Sequence, residues 1–244
     1  MKDVWTIYKR ELSSYFTQPI AYTIIVIFLL LSMILTFTLG RFIDAGDASL
    51  TYSFFLYQPF VLMVLVPAVG MRLWSEELRS GTIELIGTYP ISLWSVILGK
   101  FKAASTVWLL AIALTFPIWI TVNWLGEPDN LAIFSGYLGT YLLAMTFLAI
   151  TLLVSAFTRD QVVCLIVASA ICIGIVFATF GPFVTQYSKA FSEEVRDSIT
   201  AIGVWDHYMS LARGAFRLQD FIWFASIIVA SLLGTSAILS AKRA

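Results

Sequence analysis

An all-α polytopic membrane protein, with six transmembrane helices, an N-terminal interfacial helix and a polar cytoplasmic island, is the fold class this sequence predicts. Three observations predict it. Of 244 residues, 59% are hydrophobic and only 12% charged, and the mean hydropathy of +0.88 means more apolar surface than a soluble chain of this length can bury within itself. The apolar residues fall in six charge-free stretches: Leu12 to Gly40, Ala48 to Met71, Ala103 to Gly126, Asn130 to Thr158, Gln161 to Ser188 and Phe221 to Ala241. Each supplies about 20 helical residues, the length that crosses a hydrocarbon core of roughly 30 Å. The runs are continuous and do not alternate, which selects helices over a barrel.

Residues 1–18 read as an interfacial amphipathic helix. Trp5, Tyr8, Leu12 and Tyr15 share one helical stripe, while Lys2, Lys9, Arg10 and Ser13 point elsewhere, the pattern of a helix lying among lipid headgroups. This segment serves either as an anchor or as an elbow that passes motion into the first span. Thr17, Gln18 and Pro19 then turn the chain, with Pro19 at a tolerated early helical position. No cleavable leader is expected, because the first apolar run is long and follows an amphipathic segment with acidic residues.

Residues 19–241 form a single transmembrane domain, with spans near 20–40, 54–72, 100–124, 133–157, 161–181 and 220–241. Pro67 and Pro117 are expected to kink the second and third of these. Small residues in the fourth to sixth spans, among them Gly136, Gly139, Ala168 and Gly234, allow close helix packing. No ionisable residue lies deep in any span, which argues against ion-coupled transport. Cys164 and Cys172 share the fifth span and read as packing residues, with no CxxC.

Lysine and arginine fix the expected orientation. Ten of the fifteen basic residues fall in the N-terminus, the second and fourth connections and the C-terminus. Both termini and the island at 75–92 are therefore expected in the cytoplasm, and no basic field suggests nucleic acid.

Enzyme signatures are missing. Gly99-Lys100 lacks the glycine spacing and the following Ser or Thr of a phosphate loop, and there is no H-E-x-x-H or G-x-S-x-G. No catalytic residue, bound cofactor or metal site is expected. The single histidine, His207, stands beside Trp205, Asp206 and Tyr208 without recognisable metal partners.

Two polar segments remain. The outer loop at 181–220 offers Ser192 as a cap before Glu193 and Glu194, with Phe191, Val195, Ile199 and Ile202 on one stripe. With Trp205 and His207 these residues make a candidate partner surface. The cytoplasmic island runs S-E-E-L-R-S-G-T-I-E-L-I-G-T-Y-P-I-S from Ser75 to Ser92 and reaches G-K at Gly99-Lys100. Ser75 is expected to cap a turn opened by Glu76 and Glu77, Gly81 to permit a bend, a second turn to begin at Thr82 with Ile83 and Ile86 on one side, Pro90 to stop it, and Ser92 to cap the third span.

These residues resemble the signature loop of the ABC-2 type permeases, S-E-E-K/R-x-x-G-T-Φ-E-L-L-x-T-x-P-Φ-S with G-K shortly after, where Φ is apolar. Ser75, Glu76, Glu77, Gly81, Thr82, Glu84, Leu85, Thr88, Pro90, Ser92, Gly99 and Lys100 match it, while Leu78 and Gly87 depart from it. The stretch from Trp205 to Phe224 and the N-terminal K-R-E-L-S-S-Y-F-T-Q-P-I-A-Y are similar to the gliding-motility-associated branch and its relative in nitrous-oxide reductase maturation. The resemblance implies a six-helix permease, exporter-like in architecture, that pairs with a second copy or paralogue in the bacterial inner membrane. ATP and magnesium would sit on a separate nucleotide-binding ATPase subunit, with Ser75, Glu76, Glu77, Arg79, Gly81, Thr82, Glu84 and Pro90 coupling to it. In the gliding-related branch a companion protein with a large periplasmic domain often accompanies the permease. Two functions follow as alternatives: ATP-driven export, or relay of ATP-driven motion to an extracytoplasmic partner without moving a solute.

Overall fold

A computed structural model describes residues 2–42, 50–82, 91–181, 184 and 203–242. The described residues are mostly helical, with no strand among them, and six helical stretches are long and apolar enough to cross a membrane. We number the helices α1 (Lys2–Thr17), α2 (Pro19–Ile34), α3 (Gln58–Gly70), α4 (Arg72–Ser80), α5 (Leu93–Ala113), α6 (Phe116–Leu125), α7 (Asn130–Phe157), α8 (Gln161–Ala178), α9 (Trp205–Ala212) and α10 (Leu218–Ala241).

α7 is the axis of the bundle. Its 28 residues span about 42 Å at helical rise, and α3, α4, α5, α8, α9 and α10 all pack on it. Asp129 starts it by accepting the amides of Leu131 and Ala132 at 2.9 and 3.3 Å. Its glycines are sites of close approach: a Cβ at Gly136 would stand 2.4 Å from the Phe55 ring and one at Gly139 2.9 Å from Leu211.

Pro117 and Pro67 sit differently in their helices. α5 ends at Ala113 and α6 restarts at Phe116 with Pro117 in its first turn, because proline has no amide to continue the ladder. The Tyr137 hydroxyl donates to the Thr115 carbonyl at 3.1 Å, so the break keeps its polar atoms paired. Pro67 lies inside α3, and the chain turns at Met71 directly into α4.

Two helix starts were expected from serine caps, and one of them holds. The helix that carries the third span begins at Leu93 and is capped by Ser92, whose hydroxyl accepts the Ser95 amide at 3.2 Å. Ser75 caps nothing. It lies one turn inside α4, fully buried, and donates to the Met71 carbonyl. The helix starts earlier because Leu73, Trp74 and Leu78 are buried among the neighbouring helices, and the Arg72–Glu76 pair spans its first turn.

At the far end of α7, α9 is pinned into the bundle. The Tyr208 hydroxyl donates to the Phe55 carbonyl at 2.8 Å and lies 3.2 Å from Thr140 Oγ1, and Thr51 donates to the Ala212 carbonyl at 3.0 Å. Burial pushes the Tyr208 phenol well above its ordinary range, opposed by the Thr140 hydrogen bond.

Candidate functional site

Three polar segments meet at the end of the bundle opposite α9. α1 lies along α5, with Ile7 buried where Gly99 leaves room: a Cβ on Gly99 would stand 2.7 Å from Ile7 Cγ2. α4 leaves α3 at Met71 and packs on α7. The start of α5 runs between them and carries Lys100.

Lys100 is the only described lysine that is fully buried, 3% exposed. A buried ammonium needs compensating charge and hydrogen bonds. It finds two carboxylates: Glu77 Oε1 of α4 at 2.8 Å and Glu11 Oε1 of α1 at 3.3 Å. It also stands 5.3 Å from the ring centroid of the buried Trp74. One cation thus ties the N-terminal helix, the signature segment and the third membrane helix. Two outer pairs flank it. Arg10 contacts Glu11 at 3.0 Å, and Arg72 donates to Glu76 at 3.0 Å through Nε and to Gln18 at 2.6 Å through Nη1. Gln18 is the hinge residue between α1 and α2, so Arg72 fastens that hinge to the start of α4.

The charges surround a cavity of about 420 Å³ that opens between α1 and α4. Tyr15 lines it, its phenol raised well above the ordinary range by burial first, then by the Glu11 charge, with Arg72 opposing. Glu77 Oε2 is buried without a hydrogen-bond partner.

α4 ends at Gly81, whose φ of +73° is left-handed and whose missing Cβ would meet nothing within 4 Å. Beyond it Thr82 is exposed and shares a 2.9 Å hydrogen bond with Ser80.

The sequence-derived site residues fall into three groups. Glu76, Arg79, Gly81 and Thr82 are exposed at the tip of α4. Ser75 and Glu77 are turned into the protein, the first buried and the second held by Lys100. Glu84 and Pro90 lie outside the described residues, as do Phe191, Val195 and Ile199. On α1, Trp5 is exposed and stacked on Tyr8 at 5.0 Å with Lys9 over its ring, Arg10 is exposed, and Leu12 packs on the core.

Glu11, Arg72 and Lys100 were missed as site residues. The signal available for Lys100 was a lysine set inside an otherwise apolar helical run, which has to find acids.

At the opposite end, Trp205 is wedged among Phe60 and Phe180. His207 Nδ1 lies 2.7 Å from Asp220 Oδ1 and its ring stacks on Trp223. The histidine has a partner after all, but it is one carboxylate, and no described group could hold a metal ion.

Among the described residues the arrangement is a buried ion-pair junction that joins α1, α4 and α5. Compared with known proteins, the chain is matched over residues 5–243 by the family model described as ABC-2 family transporter protein. No curated protein matches it.

Proposed function

Because this chain belongs to the ABC-2 family of transporter proteins and so is the membrane permease of an ABC transporter, we propose that it takes its drive from a separate ATP-binding subunit docked at the tip of α4. In this reading the α4 end of the bundle and both termini face the cytoplasm, the membrane is the bacterial inner membrane, and the cargo is exported. A second copy or a paralogue completes the passage, and ATP and Mg²⁺ are held by the partner subunit. The membership of the gliding-motility and nitrous-oxide-reductase-maturation branch, with its periplasmic companion, is part of the same proposal. It is supported by the residues from Trp205 to Phe224.

The observation that carries the reading is the Glu11–Lys100–Glu77 junction. A partner that pushes the 76–82 tip must move α4. The buried lysine couples α4 to α5 and α1, and breaking such a buried pair costs about 3–5 kcal/mol. Motion at the tip therefore passes to the membrane helices and does not dissipate in a loose loop. This gives α1 the role of an elbow that moves with the junction.

The test is Gly81→Pro. Proline cannot adopt φ near +73°, yet position 81 touches no neighbour, so the chain should insert and fold while the tip is misaimed. Copurification of the ATP-binding subunit, or its stimulation by the permease, should fall. Full binding with full stimulation would reject the tip as the coupling element.

A further inference from the structure

The first and third membrane helices are both interrupted, and at the same depth. α2 and α5 leave the junction end of the bundle side by side, and the buried Phe28 and Trp108 rings meet edge to face at 5.6 Å. Seven residues beyond Phe28 the first span opens into a π-helical turn over Leu35–Leu39, where the Gly40 amide reaches back to the Leu35 carbonyl at 2.8 Å. Seven residues beyond Trp108 stands Thr115, in the break between α5 and α6. There the ladder tightens instead, with Thr115 donating to Ile112 at 3.1 Å and Ile118 to Thr115 at 3.0 Å. Both interruptions thus lie about 10 Å beyond the ring contact. Turns of the π and 3₁₀ type inside a long helix often mark hinges. Proline accounts for the break, but the π-turn, Leu-Thr-Phe-Thr-Leu, holds neither proline nor glycine. A distant contact fixes its end: a Cβ on Gly40 would stand 2.3 Å from the Ser53 carbonyl oxygen.

The two ends of these spans are held by different bodies. Their inner ends belong to the junction, α5 through Lys100 and α2 through Gln18 and Arg72. Their outer ends belong to α7. Gly40 rests on Ser53, and the adjoining Phe55 ring packs against Gly136. In α6 the Trp119 ring stacks on Tyr137 at 5.7 Å and its N–H donates to Asn130 at 2.6 Å, while Asn123 and Asn130 exchange amide hydrogen bonds at 3.1 Å. A helix driven at one end and fixed at the other has to yield between them, and the altered ladders lie there. We propose that the π-turn and the Thr115 break form one hinge plane, across which the inner halves of the first and third membrane helices swing while their outer halves stay on α7. Side chains keep the altered turns supplied with hydrogen bonds. The Thr36 and Thr38 hydroxyls donate to the Ser32 and Ile34 carbonyls, and Tyr137 donates to the Thr115 carbonyl at 3.1 Å. Such pairing is what lets an irregular backbone sit at membrane depth. The proposal rests on the coupling reading of the α4 tip, and says where the motion delivered there is taken up.

The experiment uses the full-length chain with its ATP-binding subunit in nanodiscs, the spin-labelled chain being diluted into unlabelled chain so that distances within one copy are read. Label pairs at exposed positions are measured before and after trapping with ATP and vanadate. Trp94 with Phe157 and Tyr22 with Phe157 report the inner halves against α7; Ile120 with Phe134 and Leu39 with Phe134 report the outer halves. The inner arm from Leu93 to Ala113 is 21 residues, about 31 Å long. A swing of about 10° at the break therefore moves Trp94 by roughly 5 Å. Both inner distances should shift by several ångströms on trapping, and both outer distances should hold to within about 1 Å. Pro117→Ala, which returns an amide to the ladder, and deletion of Phe37, which takes the extra residue out of the π-turn, should each shrink the shift of their own helix by about half or more. Equal shifts of inner and outer pairs would show rigid helices and overturn the hinge while leaving the coupling reading intact. Undiminished inner shifts in the two folded variants would also overturn it. If neither variant folds, the four distances in the unaltered chain decide alone. No shift in any pair, in a complex that hydrolyses ATP, would overturn the hinge and the coupling reading together.

Discussion

Replacing Lys100 by methionine separates the charge of the junction from its packing. Methionine keeps most of the apolar stem volume, so the main loss is the ammonium between Glu77 at 2.8 Å and Glu11 at 3.3 Å. The two acids do not suffer equally. Glu11 retains Arg10 at 3.0 Å, whereas Glu77 has no other partner, since its second oxygen is already unpaired. Orphaning a fully buried charge costs about 3–5 kcal/mol. Both carboxylates are 16% exposed, so water relieves part of that, and about 2–3 kcal/mol is the expected loss. If the loss appears as local opening of α1 and α4, amide exchange there should accelerate roughly 30- to 150-fold while α7 stays protected. Hydrogen–deuterium exchange with peptide resolution measures it. The structure further requires that adding Glu77→Gln recover most of the protection and that adding Glu11→Gln recover little. Equal rescue by the two, or unchanged exchange in Lys100→Met, would refute the reasoning.

Other outcomes follow from the His207–Asp220 pair and from the two buried phenols. His207→Ala should lower the thermal unfolding midpoint, because Asp220 is 4% exposed and its carboxylate would lose the imidazole that pairs with it, at a cost of about 2–4 kcal/mol; Asp220→Asn, which can still accept from Nδ1–H, should cost less. Tyr15 and Tyr208 both have phenols raised above the ordinary 10.0, so folding favours their neutral forms. Their contribution is fully present below pH 10.0 and is lost as the pH rises beyond it. Tyr208→Phe should remove its share of the alkaline loss while costing about 1 kcal/mol at neutral pH, because the Phe55 carbonyl loses the phenol but keeps the Gln58 amide.

The six membrane helices were legible because charge-free length is a local property, and the helix start at Pro19 and the cap at Ser92 because they depend on neighbouring residues alone. What the sequence hid was set by distant contacts. Ser75 followed by two glutamates looks like a helix start, yet burial of Leu73 and Trp74 draws the helix back to Arg72. Lys100 looked like the edge of the third span. It lies seven residues inside α5 because acids from α1 and α4 compensate it there. His207 and Asp220 are 13 residues apart, with a turn between α9 and α10, and no periodicity links them. The tip itself was read correctly as a bend at Gly81, since its left-handed conformation needs glycine whatever surrounds it.

The central claim is that the ATP-binding subunit docks at the tip of α4. Photocrosslinkers placed singly at Arg79, exposed on α4, and at Trp124, 89% exposed near the end of α6, probe opposite ends of the bundle. In membranes containing both subunits, the account predicts capture of the ATP-binding subunit from position 79 and none from 124. Capture from 124 with none from 79 would contradict it.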